Sequence, residues 1–173
     1  MDEKEIVNLL RHYRHDWSND LQVIMGYAQM GKLDKVQQKS AEVAERLMRE
    51  QQFQNMDLPA TILKLMRLNN LETGIRWEPV IEIVEPPIIN DHQLAHLVES
   101  VHQIISKYLM NSMLYHGTIK FQQFKKQPFR LILEINQALK DLTVLIDELT
   151  ATDYRIQIVS AQEERLVVVW EAD

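Results

Sequence analysis

The sequence predicts an α+β protein in two parts: an N-terminal antiparallel helical hairpin over residues 1–55 and an α/β sandwich over residues 56–173. Two observations carry this reading. In the first part apolar residues recur only at helical intervals, and in the second helical stretches alternate with short β-branched runs.

Ile6, Leu10, Tyr13, Trp17, Leu21, Ile24 and Ala28 recur every three or four residues and mark one amphipathic helix of about six turns. Gly31 suits a left-handed helix end, and Asp34 with Gln37 reads as the N-cap and capping box of a second helix. That helix carries Val36, Val43, Ala44 and Leu47 on one face and reaches about Phe53. The short connection makes the two helices antiparallel. Each apolar stripe needs more cover than one partner helix supplies, so a second copy is expected to complete a four-helix bundle, making the protein a homodimer.

In the second part Pro59 fits the first turn of a helix running to about Leu71, and Gly74 leads into a strand from Ile75 to Val84. Asp91 is placed to cap a long helix bearing Leu94, Leu97, Val98, Val101, Ile104, Ile105 and Tyr108 at strict helical spacing. Strands follow at Gly117 to Phe124, Phe129 to Ile135, Tyr154 to Val159 and Arg165 to Trp170, with a helix from about Leu139 to Leu149. Several strands join as hairpins, which suggests a mixed sheet with helices on one face.

Composition narrows the function. The 173 residues are 46% hydrophobic and 25% charged, with a net charge of −6. Lys and Arg are scattered along the chain, so nucleic acid is not an expected partner. The absence of cysteine removes disulfides, thiol nucleophiles and cysteine-based zinc sites. The acidic start Met1-Asp2-Glu3 lacks the pattern of a secretion signal, and no run reaches membrane-spanning length. A cytoplasmic location with no membrane partner is the expectation.

The chemistry lies in Arg11-His12-Tyr13-Arg14-His15-Asp16-Trp17-Ser18-Asn19. Advancing about 100° per residue from a stripe centred near Trp17, His15 falls roughly 160° away and points to solvent. Asn8, Arg11, His12, Asn19, Gln22 and Gly26 share that outer face, a polar strip on which a partner could lie. Imidazole has an unperturbed pKa of about 6.5, so much of it is neutral near pH 7 and has a ring nitrogen free to attack phosphorus. Asn19, one turn on, is placed to hydrogen-bond that ring. Asp16 either raises local basicity or pairs with Arg11, Arg14 or a partner's cation, and Arg14 and Arg11 can attract an anionic phosphoryl group. A solvent-facing histidine earns no assignment from its position alone.

The run RHDWxNxLQxIxG, formed by His15-Asp16-Trp17, Asn19, Leu21-Gln22, Ile24 and Gly26, closely resembles the phosphoacceptor helix of the sporulation-type histidine phosphotransferases. Similar His-Asp-aromatic-x-Asn helices occur in citrate-type sensor histidine kinases. Lys32-Leu33-Asp34-Lys35-Val36 stands where the second helix of that family begins, so the close match covers about the first quarter of the chain. Beyond it the similarity is one of element order.

The resemblance implies a dimeric bundle exposing one histidine per protomer, followed by a degenerate histidine-kinase ATPase-like domain. His15 would be the phosphoacceptor, with Asn19, Asp16 and Arg14 supporting it and Asn8, Arg11, His12, Gln22 and Gly26 docking the partner. The chain would be a phosphotransferase moving a phosphoryl group between the aspartates of two response-regulator receiver domains, from a single-domain receiver to a sporulation transcription regulator. The protein would need no cofactor or metal of its own. Magnesium and the catalytic lysine would belong to the receivers.

ATP chemistry is not expected of the second part. The chain has only Gly26, Gly31, Gly74 and Gly117, with no Gly-x-Gly pattern to bring backbone amides against phosphates. Met110-Asn111-Ser112-Met113-Leu114 holds one asparagine near where a kinase binds magnesium, and reads as an ordinary helix end. His92, His96 and Glu99 have zinc-compatible spacing but no further ligand, so a solvated face is the better account. His102 and His116 carry no usable pattern. The alternative from another class is a non-catalytic, kinase-derived dimeric scaffold or inhibitor that docks receivers or kinases.

Overall fold

The structure is a computed structural model describing residues 3–70, 74–110, 114–162 and 164–172. In chain order the elements are α1 (Glu3–Gln29), α2 (Leu33–Gln54), α3 (Pro59–Asn70), β1 (Ile75–Ile83), α4 (Asp91–Ser106), β2 (Tyr115–Gln123), β3 (Arg130–Ile135), α5 (Leu142–Thr150), β4 (Gln157–Gln162) and β5 (Arg165–Glu171). The chain is α+β. It divides into two compact units, Met1–Gln52 and Phe53–Asp173. Leu71 and Asn111-Ser112-Met113, invoked from the sequence, lie outside the described residues.

In the first unit α1 closes on Gly31, whose φ of 66° is open to glycine without strain. The Lys32 N–H donates to the Tyr27 carbonyl and the Gly31 N–H to the Ala28 carbonyl, the paired bonds of a Schellman end. Asp34, read from the sequence as the N-cap of α2, is not its cap. The helix already begins at Leu33, because the Val36 N–H reaches the Lys32 carbonyl and puts Asp34 inside the first turn. There its charge favours the helix N-terminus. The stripe of α1 stays largely open within one chain: Leu10 is 63%, Trp17 54% and Leu21 60% exposed.

In the second unit the sheet runs β1-β2-β3-β5-β4, with β1 parallel to β2 and the other pairs antiparallel. A parallel pair cannot be joined by a tight turn, and α4 makes the crossover between β1 and β2. Inward residues of β2 and β3, among them Ile119, Phe121, Leu131 and Leu133, join Leu94, Leu97, Val98, Val101 and Ile105 of α4 in one core. Residues of the opposite sheet face form cross-strand ion pairs, Arg130 with Glu171 at 2.5 Å and Arg165 with Glu134 at 3.0 Å. Phe53, read from the sequence as the end of the hairpin, is buried in this core, its ring centroid 6.1 Å from that of Phe121.

The centre of that core is built around Trp77. Trp77 and Gly117 are register partners on β1 and β2. A Cβ on Gly117 would lie 2.4 Å from Trp77 Cζ3, so only glycine leaves room for the indole. Trp77 Nε1 donates to His102 Nδ1 at 2.9 Å, and the Asn69 side chain binds both the N–H and the carbonyl of Trp77, each at 2.8 Å.

Three of the boundaries that differ from the sequence reading have a visible cause. Asn90, not Asp91, caps α4, accepting from the Gln93 N–H at 3.1 Å. Asp91 turns instead to the start of α3, accepting from Ala60 N at 2.6 Å, Thr61 N at 2.9 Å and Thr61 Oγ1 at 2.7 Å. It thereby satisfies donors that the first turn of α3 leaves without helical partners. α5 begins at Leu142 directly after Asp141, and β4 begins at Gln157 two residues after Arg155, because Asp141 and Arg155 have positive φ, 45° and 48°. Neither helix nor strand can propagate through that conformation.

Candidate functional site

The α1 helix spans 27 residues without Pro, which makes a continuous rod of about 40 Å. On its outer side the His15 side chain is 71% exposed and that of Asp16 52%. The Asn19 amide lies 3.2 Å from His15 Nδ1, and Asp16 Oδ1 lies 3.6 Å from the same nitrogen. Both neighbours therefore address Nδ1 and leave Nε2 projecting to solvent.

This division matters because the two tautomers of a neutral imidazole differ in which nitrogen has a free lone pair. With the Asn19 Nδ2–H donating, the ring proton sits on Nε2. With the amide turned over, its oxygen accepts the Nδ1 proton and Nε2 becomes the nucleophile. The carboxylate of Asp16 favours the second arrangement electrostatically, since it stabilises a proton held at Nδ1.

The rest of the strip forms a separate hydrogen-bonded group one turn earlier. Arg11 Nη1 donates to Asn8 Oδ1 at 3.2 Å, and His12 Nδ1 lies 3.3 Å from the Asn8 carbonyl oxygen. Among the described residues no side-chain hydrogen bond joins this group to His15 and Asn19. Arg14 and Gln22 are exposed, and nothing lies within 4 Å of where a Cβ on Gly26 would be.

Sequence reasoning missed Asp20. Its side chain is only 13% exposed, and it takes Lys39 Nζ at 3.2 Å together with the Arg46 guanidinium. The hydrogen bond from Arg46 holds the Asp20 carboxyl below the usual carboxylate range, and the same bond raises Arg46. A signal was present: Lys39 and Arg46 stand seven residues apart and share one face of α2.

Elsewhere Glu99, considered with His92 and His96, is engaged by Lys64 Nζ at 2.6 Å. Among the described residues no three His, Asp or Glu side chains are grouped to hold a metal ion. No described helix is long and apolar enough to cross a membrane.

A helical hairpin with an outward histidine, followed by a five-stranded mixed sheet with helices, is the setting for the comparisons with known proteins. Residues 1–56 match the family described as Sensor_kinase_SpoOB-type, alpha-helical domain. The match sets the helical hairpin, rather than the whole chain, beside the helical domain of sensor-kinase-type proteins. Among particular proteins, the chain is similar to Sporulation initiation phosphotransferase B of Bacillus subtilis (strain 168), 26% identical over 120 residues. The match takes in 68% of this chain and 62% of that protein, so it spans less than two thirds of the relative. Solved structures that resemble the chain include the Acinetobacter baumannii histidine kinase AdeS, with a TM-score of 0.43, 15% identity and 91% of this chain and 96% of that one covered. Another is the mycobacterial sensor histidine kinase MprB, with a TM-score of 0.40, 11% identity and 65% of this chain and 92% of that one covered.

Proposed function

We propose that this chain is a phosphorelay histidine phosphotransferase in which His15 carries a phosphoryl group between the aspartates of two response-regulator receiver domains, in the initiation of sporulation. The observation that carries the reading is the arrangement at His15: an imidazole exposed on a rigid helix, with Asn19 and Asp16 both at Nδ1 and Nε2 unobstructed. The similarity of residues 1–56 to a SpoOB-type domain supports it.

In the forward step Nε2 attacks the phosphorus of an aspartyl phosphate in line with the departing carboxylate oxygen. An N–P bond forms, the P–O bond to aspartate breaks, and the electron pair leaves on the donor's carboxylate. The Nδ1 proton stays on the ring, held by Asp16 or by the Asn19 oxygen once that amide is turned over, so no separate base is needed. In the second step the acceptor's aspartate attacks phosphorus and the N–P electron pair returns to Nε2. Neither step consumes ATP, and the charge-neutralising magnesium resides on the receiver. Arg11 and Arg14 attract the anionic group, while Asn8, His12, Gln22 and Gly26 belong to the surface on which the receiver docks.

A second copy of the chain completes the hairpin in this reading. Leu10, Trp17 and Leu21, exposed in one protomer, form the apolar seam of a four-helix bundle, and the protein acts as a homodimer. The test is incubation with phosphorylated receivers. Wild type takes and passes on the phosphate, His15→Gln does neither while remaining dimeric, and unchanged transfer by His15→Gln refutes the assignment. Binding of receivers without any phosphohistidine would favour the scaffold instead.

A further inference from the structure

Asp20 lies five residues beyond His15, which puts it about 140° around the helix from the imidazole. It therefore faces α2 while His15 faces out. Its one carboxylate is held from two points two turns apart on α2, by Lys39 and by Arg46. The cations are themselves set by their own helix, since Lys39 lies 3.8 Å from Glu42 and Arg46 lies 3.8 Å from Glu50.

Within one protomer packing does little to fix the rotation of α1, and the seam proposed with a second copy rests on the same broad apolar stripe. Among the described residues of α1 only Leu9 is a buried hydrophobic, and the apolar stripe is broad. Apolar contact is non-directional, so a wide stripe tolerates a helix rolling about its axis by tens of degrees. A carboxylate shared by two fixed cations is directional, and does not tolerate that roll.

We infer that Asp20, clamped between Lys39 and Arg46, is a positioning residue that sets the rotation of α1 and so keeps His15 and Asn19 on the outward face. Asp20 touches neither the phosphoryl group nor the receiver; it acts through the helix. The inference deepens the phosphotransfer reading and rests on it for its catalytic consequence, while the rotation itself is independent of that reading. Displacing a reacting group by about 1 Å can slow a reaction by roughly a hundredfold, so the loss of the clamp is felt in the transfer step.

The experiment uses the full chain and compares wild type, Asp20→Asn, Arg46→Gln and the charge-reversed Asp20→Lys/Lys39→Glu/Arg46→Glu. A soluble paramagnetic relaxation agent in solution NMR reads the phase of α1 without any chemistry. In wild type the strongest effects fall at Asn8, Arg11, His15, Asn19 and Gln22. In Asp20→Asn that periodicity shifts around the helix or flattens, and in the charge-reversed protein it returns. In parallel, single-turnover transfer at saturating receiver is at least tenfold slower in Asp20→Asn and recovers on charge reversal. Should Asp20→Asn fail to fold, Arg46→Gln, which retains Lys39 on Asp20, supplies the same comparison. An unchanged phase in folded single variants, or a slowed transfer that charge reversal does not restore, overturns the inference. If wild type takes no phosphate, the relay reading falls, and the NMR phase alone decides the clamp.

Discussion

The Asn19 side-chain amide lies 3.2 Å from Nδ1 of His15, one helical turn earlier. The bond comes from two residues on one rigid helix, so the ring orientation is set before any partner arrives. In the proposed transfer the amide is turned over, so that its oxygen accepts the Nδ1 proton and Nε2 is left as the nucleophile.

If that contact orients the nucleophile, Asn19→Ala leaves the fold intact and slows phosphoryl transfer to His15 by about ten- to a hundredfold. Rapid-quench kinetics with a phosphorylated receiver measure the rate, and circular dichroism checks the helix. A wild-type rate in Asn19→Ala would remove Asn19 from the site.

Burial pushes His102 down to about 4, and its Nδ1 accepts from Trp77 Nε1, a bond the protonated ring cannot accept. The unfolded chain binds that proton near pH 6.5 while the folded chain does not, so stability falls as pH drops from about 6.5 to about 4. Between pH 7 and 5 the loss is about 2 kcal/mol. His102→Gln keeps an acceptor for the indole and flattens the slope. Urea titrations at the two pH values measure the difference, and an equal slope in the variant would contradict the account.

At the register pair of Trp77 and Gly117, the substitution Gly117→Ala places a methyl group 2.4 Å from a ring atom. The indole is held by His102 and by Asn69 through its backbone, so it cannot withdraw freely. A loss of about 1–3 kcal/mol is expected, seen as a lower midpoint in thermal unfolding. An unchanged midpoint would mean that the sheet yields more easily than this packing implies.

Asp91→Ala removes the acceptor shared by Ala60 N, Thr61 N and Thr61 Oγ1. The cost is about 1–2 kcal/mol, as for the loss of a helix cap. Hydrogen exchange localises the effect to the first turn of α3, while α4, capped by Asn90, keeps its protection.

What the sequence disclosed follows the range of the forces involved. Helical spacing from Ile6 to Ala28 and alternation in Gly117 to Phe124 are local, and α1 and β2 lie where those patterns put them. The outward direction of His15 and its contact with Asn19 follow from one turn of helix and were legible for the same reason. Asp91 looked like the cap of its own helix because a preceding Asp is a good cap, but nothing local reveals that the start of α3 competes for its carboxylate. His102 was invisible for the same cause, its partner standing 25 residues away, and at Asp20 the spacing of Lys39 and Arg46 hinted at a shared face without naming the carboxylate 26 residues before Arg46. Gly117 entered the sequence reading as part of a glycine count bearing on phosphate binding, and its packing against Trp77 required the strand register.

The most direct measurement of the central claim is residue-level mapping of acid-labile phosphate after mixing the full chain with a phosphorylated receiver domain. The account predicts label on His15 that chases to a second, unphosphorylated receiver. Label on another residue, or receivers that bind and keep their phosphate, would contradict it.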